Sequence, residues 1–143
     1  MHVTNTQAVT ILEPNFTIPV LLWKIQAGFP SPAEDYAAGT INLNTHLIHH
    51  PEATFVLRVS GHSMQGAGIF DGDEILVDRA LTPSDGRIVV ACVNGEMTVK
   101  RLRLPPGQPP LLVPENPEFP TISFQEGEEC QIWGVVTRVL HRV

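Results

Sequence analysis

The apolar positions change rhythm once along the chain, near residues 28–32. In residues 1–27 they follow no helical period, and Pro14 and Pro19 interrupt any helix that starts there. Phe16, Ile18, Val20, Leu21, Leu22, Trp23 and Ile25 still make this segment apolar, so it must lie on its own body or on a partner. Gly28-Phe29-Pro30 marks a bend. The division separates an arm, residues 1–27, from a body, residues 28–143. Ser31-Pro32-Ala33-Glu34 predicts a helix start, with Ser31 as cap, Pro32 at the first position and Glu34 closing a capping box. Gly39 keeps that helix to one or two turns. Asn44 to His50 predicts a second short helix, capped by Asn44 and stopped by Pro51.

From residue 53 the signals are all strand. Ala53 to Ser60 alternates, with Phe55, Leu57 and Val59 on one face. Asp71-Gly72-Asp73 is a turn feeding a strand over 74–78. Strands over 87–93 and 96–104 flank Asn94-Gly95, a strong hairpin signal, and Pro105-Pro106-Gly107 ends that ribbon. Leu111–Val113, Thr121–Phe124 and Cys130–Leu140 supply three more. The body therefore reads as mostly antiparallel β with short helices near its start. The last of these strands, with Ile132, Gly134 and Val136, carries more apolar surface than a small body needs. That excess predicts a two-fold homodimer interface.

Composition narrows the class. A chain of 143 residues with 43% hydrophobic and 17% charged positions is a folded domain, not a disordered segment. Fifteen acids against nine Lys and Arg give a formal charge of −6, which disfavours direct binding to nucleic acid. No apolar run approaches the roughly 18 residues of a membrane span, and the start lacks the basic region of a secretory signal. Cys92 and Cys130 have no metal-ligand spacing around them and read as small buried hydrophobes in a reducing compartment. The expectation is a cytoplasmic protein with no membrane association, no metal and no cofactor.

Candidate chemistry gathers at two places. Ser63 follows a strand within Ser60-Gly61-His62-Ser63-Met64, in a stretch punctuated by Gly66 and Gly68. A serine at such a junction exposes its hydroxyl, and neighbouring backbone N–H groups can point at an oxyanion; the same residue can equally be a turn serine. Lys100 shares a strand face with Thr98, Leu102 and Leu104, opposite Arg101 and Arg103. Partial desolvation there lowers the pKa of an ammonium from about 10.4 toward neutrality, giving the free amine that a base needs. The competing reading is an edge lysine that blunts the strand against aggregation. His62 adjoins Ser63, but neighbours on an extended chain point apart. His46 and His50 have i, i+4 spacing without a nearby acidic or cysteine partner, so they and His49 read as a solvated helix face.

Three separated segments resemble the self-cleaving domain shared by LexA repressors and UmuD proteins. They are Ser60-Gly61-His62-Ser63-Met64, then Gly68-Ile69-Phe70-Asp71-Gly72-Asp73, then residues 86–100 ending Thr98-Val99-Lys100. Upstream, Ala27-Gly28 is similar to that family's cleavage site, and Gly28-Phe29-Pro30-Ser31-Pro32-Ala33 with Asp35-Tyr36 is similar to UmuD proteins in particular. Leu112-Val113-Pro114-Glu115-Asn116-Pro117-Glu118-Phe119 resembles LexA. The resemblance implies a compact antiparallel peptidase fold in which Ser63 is the nucleophile and Lys100 its base. Backbone N–H groups of Ser63 and Met64 would hold the oxyanion, and Ala27-Gly28 would be the bond cut. His62 departs from what some relatives carry beside the serine.

Only 26 residues precede Ala27, too few for the winged helix-turn-helix of LexA, so the resemblance points to the UmuD branch. That branch implies a role in SOS mutagenesis. RecA filaments on single-stranded DNA stimulate self-cleavage, which removes residues 1–27. The shortened homodimer then joins a Y-family catalytic subunit, UmuC, as an error-prone translesion polymerase, with no sequence-specific DNA binding of its own. The alternatives are a LexA-like SOS regulator lacking a DNA-binding domain and a polymerase accessory module that does not cleave. A signal-peptidase-like processing enzyme also uses a Ser–Lys dyad, but it needs a membrane anchor. The arm is further expected to act as a mobile switch.

Overall fold

The computed structural model describes residues 16–21, 25, 27–29 and 37–143, in two units, residues 1–49 and 50–143. In the first unit, β1 (Ile18–Leu21) pairs antiparallel with β2 (Ala37–Ile41), Ile18 opposite Ile41 and Val20 opposite Gly39. The helix start expected at Ser31 to Glu34 lies outside the described residues, and by Ala37 the chain is strand. Part of the arm forms β1; the switching expected of the arm falls largely on residues outside the described ones.

The second predicted helix forms, but shorter. Helix α1 spans Leu43–Leu47 and is capped by Asn42, not Asn44. The Asn42 Oδ1 accepts from the Asn44 N–H at 2.9 Å and the Thr45 N–H at 3.5 Å. An Asn side chain readily bonds the amide two residues on, and that moves the start upstream. The helix ends at Ile48, and Pro51 opens a separate 3-10 turn over Pro51–Ala53.

The second unit is built on a seven-stranded sheet. Its strands are β3 (Thr54–Arg58), β4 (Glu74–Asp78), β5 (Ile88–Val93), β6 (Glu96–Arg103), β7 (Leu111–Val113), β8 (Ile122–Ser123) and β9 (Gln131–Leu140), in the order β3-β4-β9-β5-β6-β7-β8. Every pairing is antiparallel. The β5–β6 hairpin closes through Asn94 and Gly95 at φ 50° and 81°. Both values lie in the left-handed region that a tight two-residue hairpin turn requires.

Because side chains alternate along a strand, the sheet has a core on each face. Ile75, Val77, Val90 and Val136 pack with Val59, Met64 and Ile69, while Val89, Ala91 and Val135 pack with Leu102 and Leu112. The placement of β9 corrects the argument for an interface drawn from it. It lies between β4 and β5, and its Ile132, Trp133, Val135, Val136 and Val139 pack into the protein's own two cores. Its surplus of apolar residues is that of a central strand buried on both faces. Edge strand β3 also departs from simple alternation: Leu57 and Val59 pack inward, but Phe55 stays 44% exposed, tilted against the Trp133 ring at 5.4 Å.

Candidate active site

The loop after β3 is pinned at both ends. The Val59 N–H donates to the Asp73 carbonyl and the Gly72 N–H to the Val59 carbonyl, each at 2.8 Å. The Gly61 N–H donates to Asp71 Oδ1 at 2.8 Å. The Met64 side chain, 2% exposed, plugs the core directly after Ser63, and Ile69 does the same five residues later. Burying these two side chains fixes the stretch between them. Gln65–Ala67 makes one 3-10 turn, which Gly68 ends in a left-handed conformation.

A second segment clamps this loop from outside. The Glu115 N–H donates to the Ser63 carbonyl and the Glu115 carbonyl accepts from the Gly66 N–H, both at 2.8 Å. Asn116 Nδ2 donates to the His62 carbonyl at 2.9 Å. Gly66 is needed there, because a Cβ at that position would sit 2.6 Å from the Glu115 carbonyl oxygen. Among the described residues no acceptor takes the N–H of Ser63 or of Met64.

Strand β6 brings up Lys100. Among the described residues its outer edge pairs with β7 only at Arg101–Arg103, so Lys100 lies just outside that pairing, yet it is only 8% exposed. A side chain this buried is not a solvated charge guarding an edge. Lys100 Nζ lies 3.1 Å from Ser63 Oγ, 2.7 Å from Thr98 Oγ1 and 3.2 Å from the Val99 carbonyl oxygen. Burial pushes the Lys100 ammonium below its ordinary pKa. A neutral amine has two N–H bonds and one lone pair. With Thr98 Oγ1 and the Val99 carbonyl accepting the two N–H bonds, the lone pair is left for the hydroxyl of Ser63.

The site opens into a cleft of about 400 Å³ whose walls include Leu57, Val59, Met97 and Phe119 beside Ser63 and Lys100. Met97 and Phe119 are half-exposed, so part of the rim is apolar where it meets solvent, beside the exposed Arg58 and His62. The structure thus brings together Ser63, Met64 and Lys100. Ala27 and Gly28 form an exposed bend in the first unit. His62 is exposed and meets Gln65 Nε2 at 3.1 Å through Nδ1. Thr98, the Met64 side chain and the Glu115–Asn116 clamp carry parts of this site that the sequence reading did not assign. For Thr98 the signal was available, since it lies two residues from Lys100 on the same strand face.

Other polar residues are placed differently from expectation. His50 is not on a solvated helix face: it lies beyond α1, and its Nδ1 is 2.6 Å from the buried Asp78 carboxylate. That partner is 28 residues away in sequence, beyond what local spacing can show. Among the described residues no group of three His, Cys, Asp or Glu side chains could hold a metal ion. Cys92 and Cys130 are free thiols and half-buried rather than buried. No helix among the described residues is long and apolar enough to cross a membrane.

The Peptidase S24-like family matches residues 19–137 of this chain. The chain belongs to that family. Within it the chain is of the UmuD type. It is 50% identical to Protein MucA of Salmonella typhimurium over 125 residues, covering 87% of this chain and 84% of that protein. It is 47% identical to Protein ImpA of Escherichia coli over 130 residues, 91% of this chain and 88% of the other. A LexA repressor of Acidithiobacillus ferrooxidans is 43% identical over 123 residues, 84% of this chain but 59% of the repressor. The mostly antiparallel fold is the one expected of the LexA and UmuD type, and the family is one of serine self-cleaving peptidases.

Proposed function

We propose that this protein is a self-cleaving serine peptidase in which Ser63 and Lys100 form the dyad and Ala27-Gly28 is the bond cut. The observation that carries the reading is the 3.1 Å approach of a buried Lys100 Nζ to Ser63 Oγ. The neutral amine of Lys100 takes the hydroxyl proton as Ser63 Oγ attacks the carbonyl carbon of Ala27. The oxygen of that carbonyl becomes an oxyanion, and the N–H groups of Ser63 and Met64, which no acceptor takes among the described residues, stabilise it. Collapse of the tetrahedral intermediate breaks the C–N bond. The Lys100 ammonium returns the proton to the departing nitrogen of Gly28, leaving Ala27 esterified to Ser63. A water molecule, deprotonated by Lys100, then hydrolyses the ester and frees the serine. The small side chain at Ala27 and its absence at Gly28 suit a bond that must enter between Met97, Phe119 and the loop of Ser63.

The biological setting is the UmuD one. Cleavage, stimulated by a RecA filament on single-stranded DNA, removes the arm of residues 1–27. The remaining body, 28–143, acts in the cytoplasm as a homodimer and joins a Y-family catalytic subunit of the UmuC kind in error-prone synthesis during the SOS response. Likeness to MucA and ImpA through more than four-fifths of those proteins supports this branch over a repressor. The test is to incubate the purified chain at alkaline pH, with and without a RecA filament, and weigh the products. One cut, between Ala27 and Gly28 and faster with the filament, is expected. An intact chain under both conditions, or a cut elsewhere, contradicts the reading. Light scattering of the product should give twice the monomer mass.

A further inference from the structure

The residue after Lys100 on β6 points to the strand's other face and has no part in the dyad. Arg101 is half-buried, and its Nε bonds the Glu115 carboxylate. Its Nη1 donates to the Gly86 carbonyl at 2.7 Å. Glu115 is the residue whose own N–H and carbonyl hold the Ser63 carbonyl and the Gly66 N–H. Two consecutive residues of one strand therefore reach the nucleophile by separate routes, Lys100 directly and Arg101 through Glu115.

We propose that the Arg101–Glu115 ion pair is a positioning device for Ser63: it fixes the Glu115 backbone, and that backbone sets how the Ser63 hydroxyl and N–H face the scissile carbonyl. Glu115 sits just past the end of β7, where strand pairing no longer restrains the chain. Without a tether, the two backbone bonds and the Asn116 side chain must themselves hold this segment to the serine loop. The guanidinium anchors the carboxylate to β6 and, through Gly86, to the start of β5. The arrangement is rigid because Arg presents its donors as a fixed fork. It matters for rate because small displacements of a nucleophile cost far more in reaction than in folding. The inference rests on the proposed self-cleavage, and its test separates the two.

The test measures the first-order rate of self-cleavage of the full chain against pH, well below the melting temperature, for Glu115→Gln, Arg101→Gln and the double variant. On the alkaline plateau, where Lys100 is already neutral, each single variant should cut about tenfold more slowly. The midpoint of the pH profile should stay where wild type has it, because Thr98 and Val99 hold Lys100 independently of Glu115. The double variant should be no slower than either single one, since both break one link. Arg101→Lys, which keeps the charge but not the fork, should recover part of the rate and serves should the Gln variants fold poorly. Plateau rates within twofold of wild type, or single effects that multiply in the double variant, overturn the proposal. A wild-type chain that never cuts overturns the peptidase reading instead.

Discussion

Thr98→Val removes one hydroxyl from β6 and leaves a β-branched residue of the same shape in the strand. The lost oxygen lies 2.7 Å from Lys100 Nζ, nearer than Ser63 Oγ or the Val99 carbonyl. A hydrogen bond to a charged group is worth about 1.5–3 kcal/mol and one to a neutral group about 0.5–1.5 kcal/mol. The ammonium therefore loses about 1 kcal/mol more than the amine does. Each 1.36 kcal/mol of such a difference equals one pH unit, so the midpoint of the cleavage profile should fall by on the order of one unit. Burial already depresses this pKa, and the substitution acts in the same direction. The plateau rate should also drop by about five- to tenfold, because the lone pair is no longer oriented by its neighbours. Thr98→Ser should restore both quantities. The assay is self-cleavage of the full chain followed by mass spectrometry from about pH 6 to pH 11, a span that brackets an amine base. A midpoint that rises, or a profile identical to wild type, refutes the role given to Thr98.

Three further outcomes are expected. Lys100→Met should melt higher than wild type near pH 7, because it removes a buried ammonium. The gap should close as pH rises through the lowered pKa toward about 10.4, since the folded state binds that proton less well than the unfolded chain. Gly66→Ala forces a Cβ against the Glu115 carbonyl and should cost about 1–3 kcal/mol, lowering the calorimetric melting temperature by about 3–10 °C. His50→Gln should destabilise most at mildly acidic pH. The hydrogen bond with Asp78 raises the His50 pKa, so its contribution is full below about 6.5 and fades as pH rises through the folded value. Burial works to raise Asp78, but the bonds from His50 and from the Ala80 and Leu81 amides outweigh it and hold the carboxyl low. Its contribution is therefore lost only as pH falls through that low value, and thermal melts at about pH 5 and pH 8 should differ in the cost of the substitution.

The strands were largely legible in the sequence because short apolar runs sit between strong turn residues. β4 and β7 begin and end where the pattern puts them, and Asn94-Gly95 fixes the β5–β6 register. The errors share a cause. Whether an apolar strand is central or lies at an interface depends on its neighbours, and β9 has β4 and β5 from distant parts of the chain. The Asn42 cap was a choice between two asparagines two residues apart, which only backbone geometry decides. Ser63 and Lys100 were visible one at a time, as an exposed turn serine and a strand lysine with two possible roles. Their meeting across 37 residues is a property of the fold. Likewise, nothing in the spacing of Arg101, Glu115 and Ser63 announces the clamp, because two of its three links run through backbone atoms.

The central claim is that Ser63 and Lys100 together cut the chain at Ala27-Gly28. Its most direct test is the rate of that cut at alkaline pH in wild type, Ser63→Ala and Lys100→Ala, with melting temperatures recorded on the same samples. Wild type should yield the two fragments joined at Ala27-Gly28, and both variants should remain intact while staying folded, since a loop serine costs little stability to remove. Cleavage at the wild-type rate in either folded variant would contradict the claim.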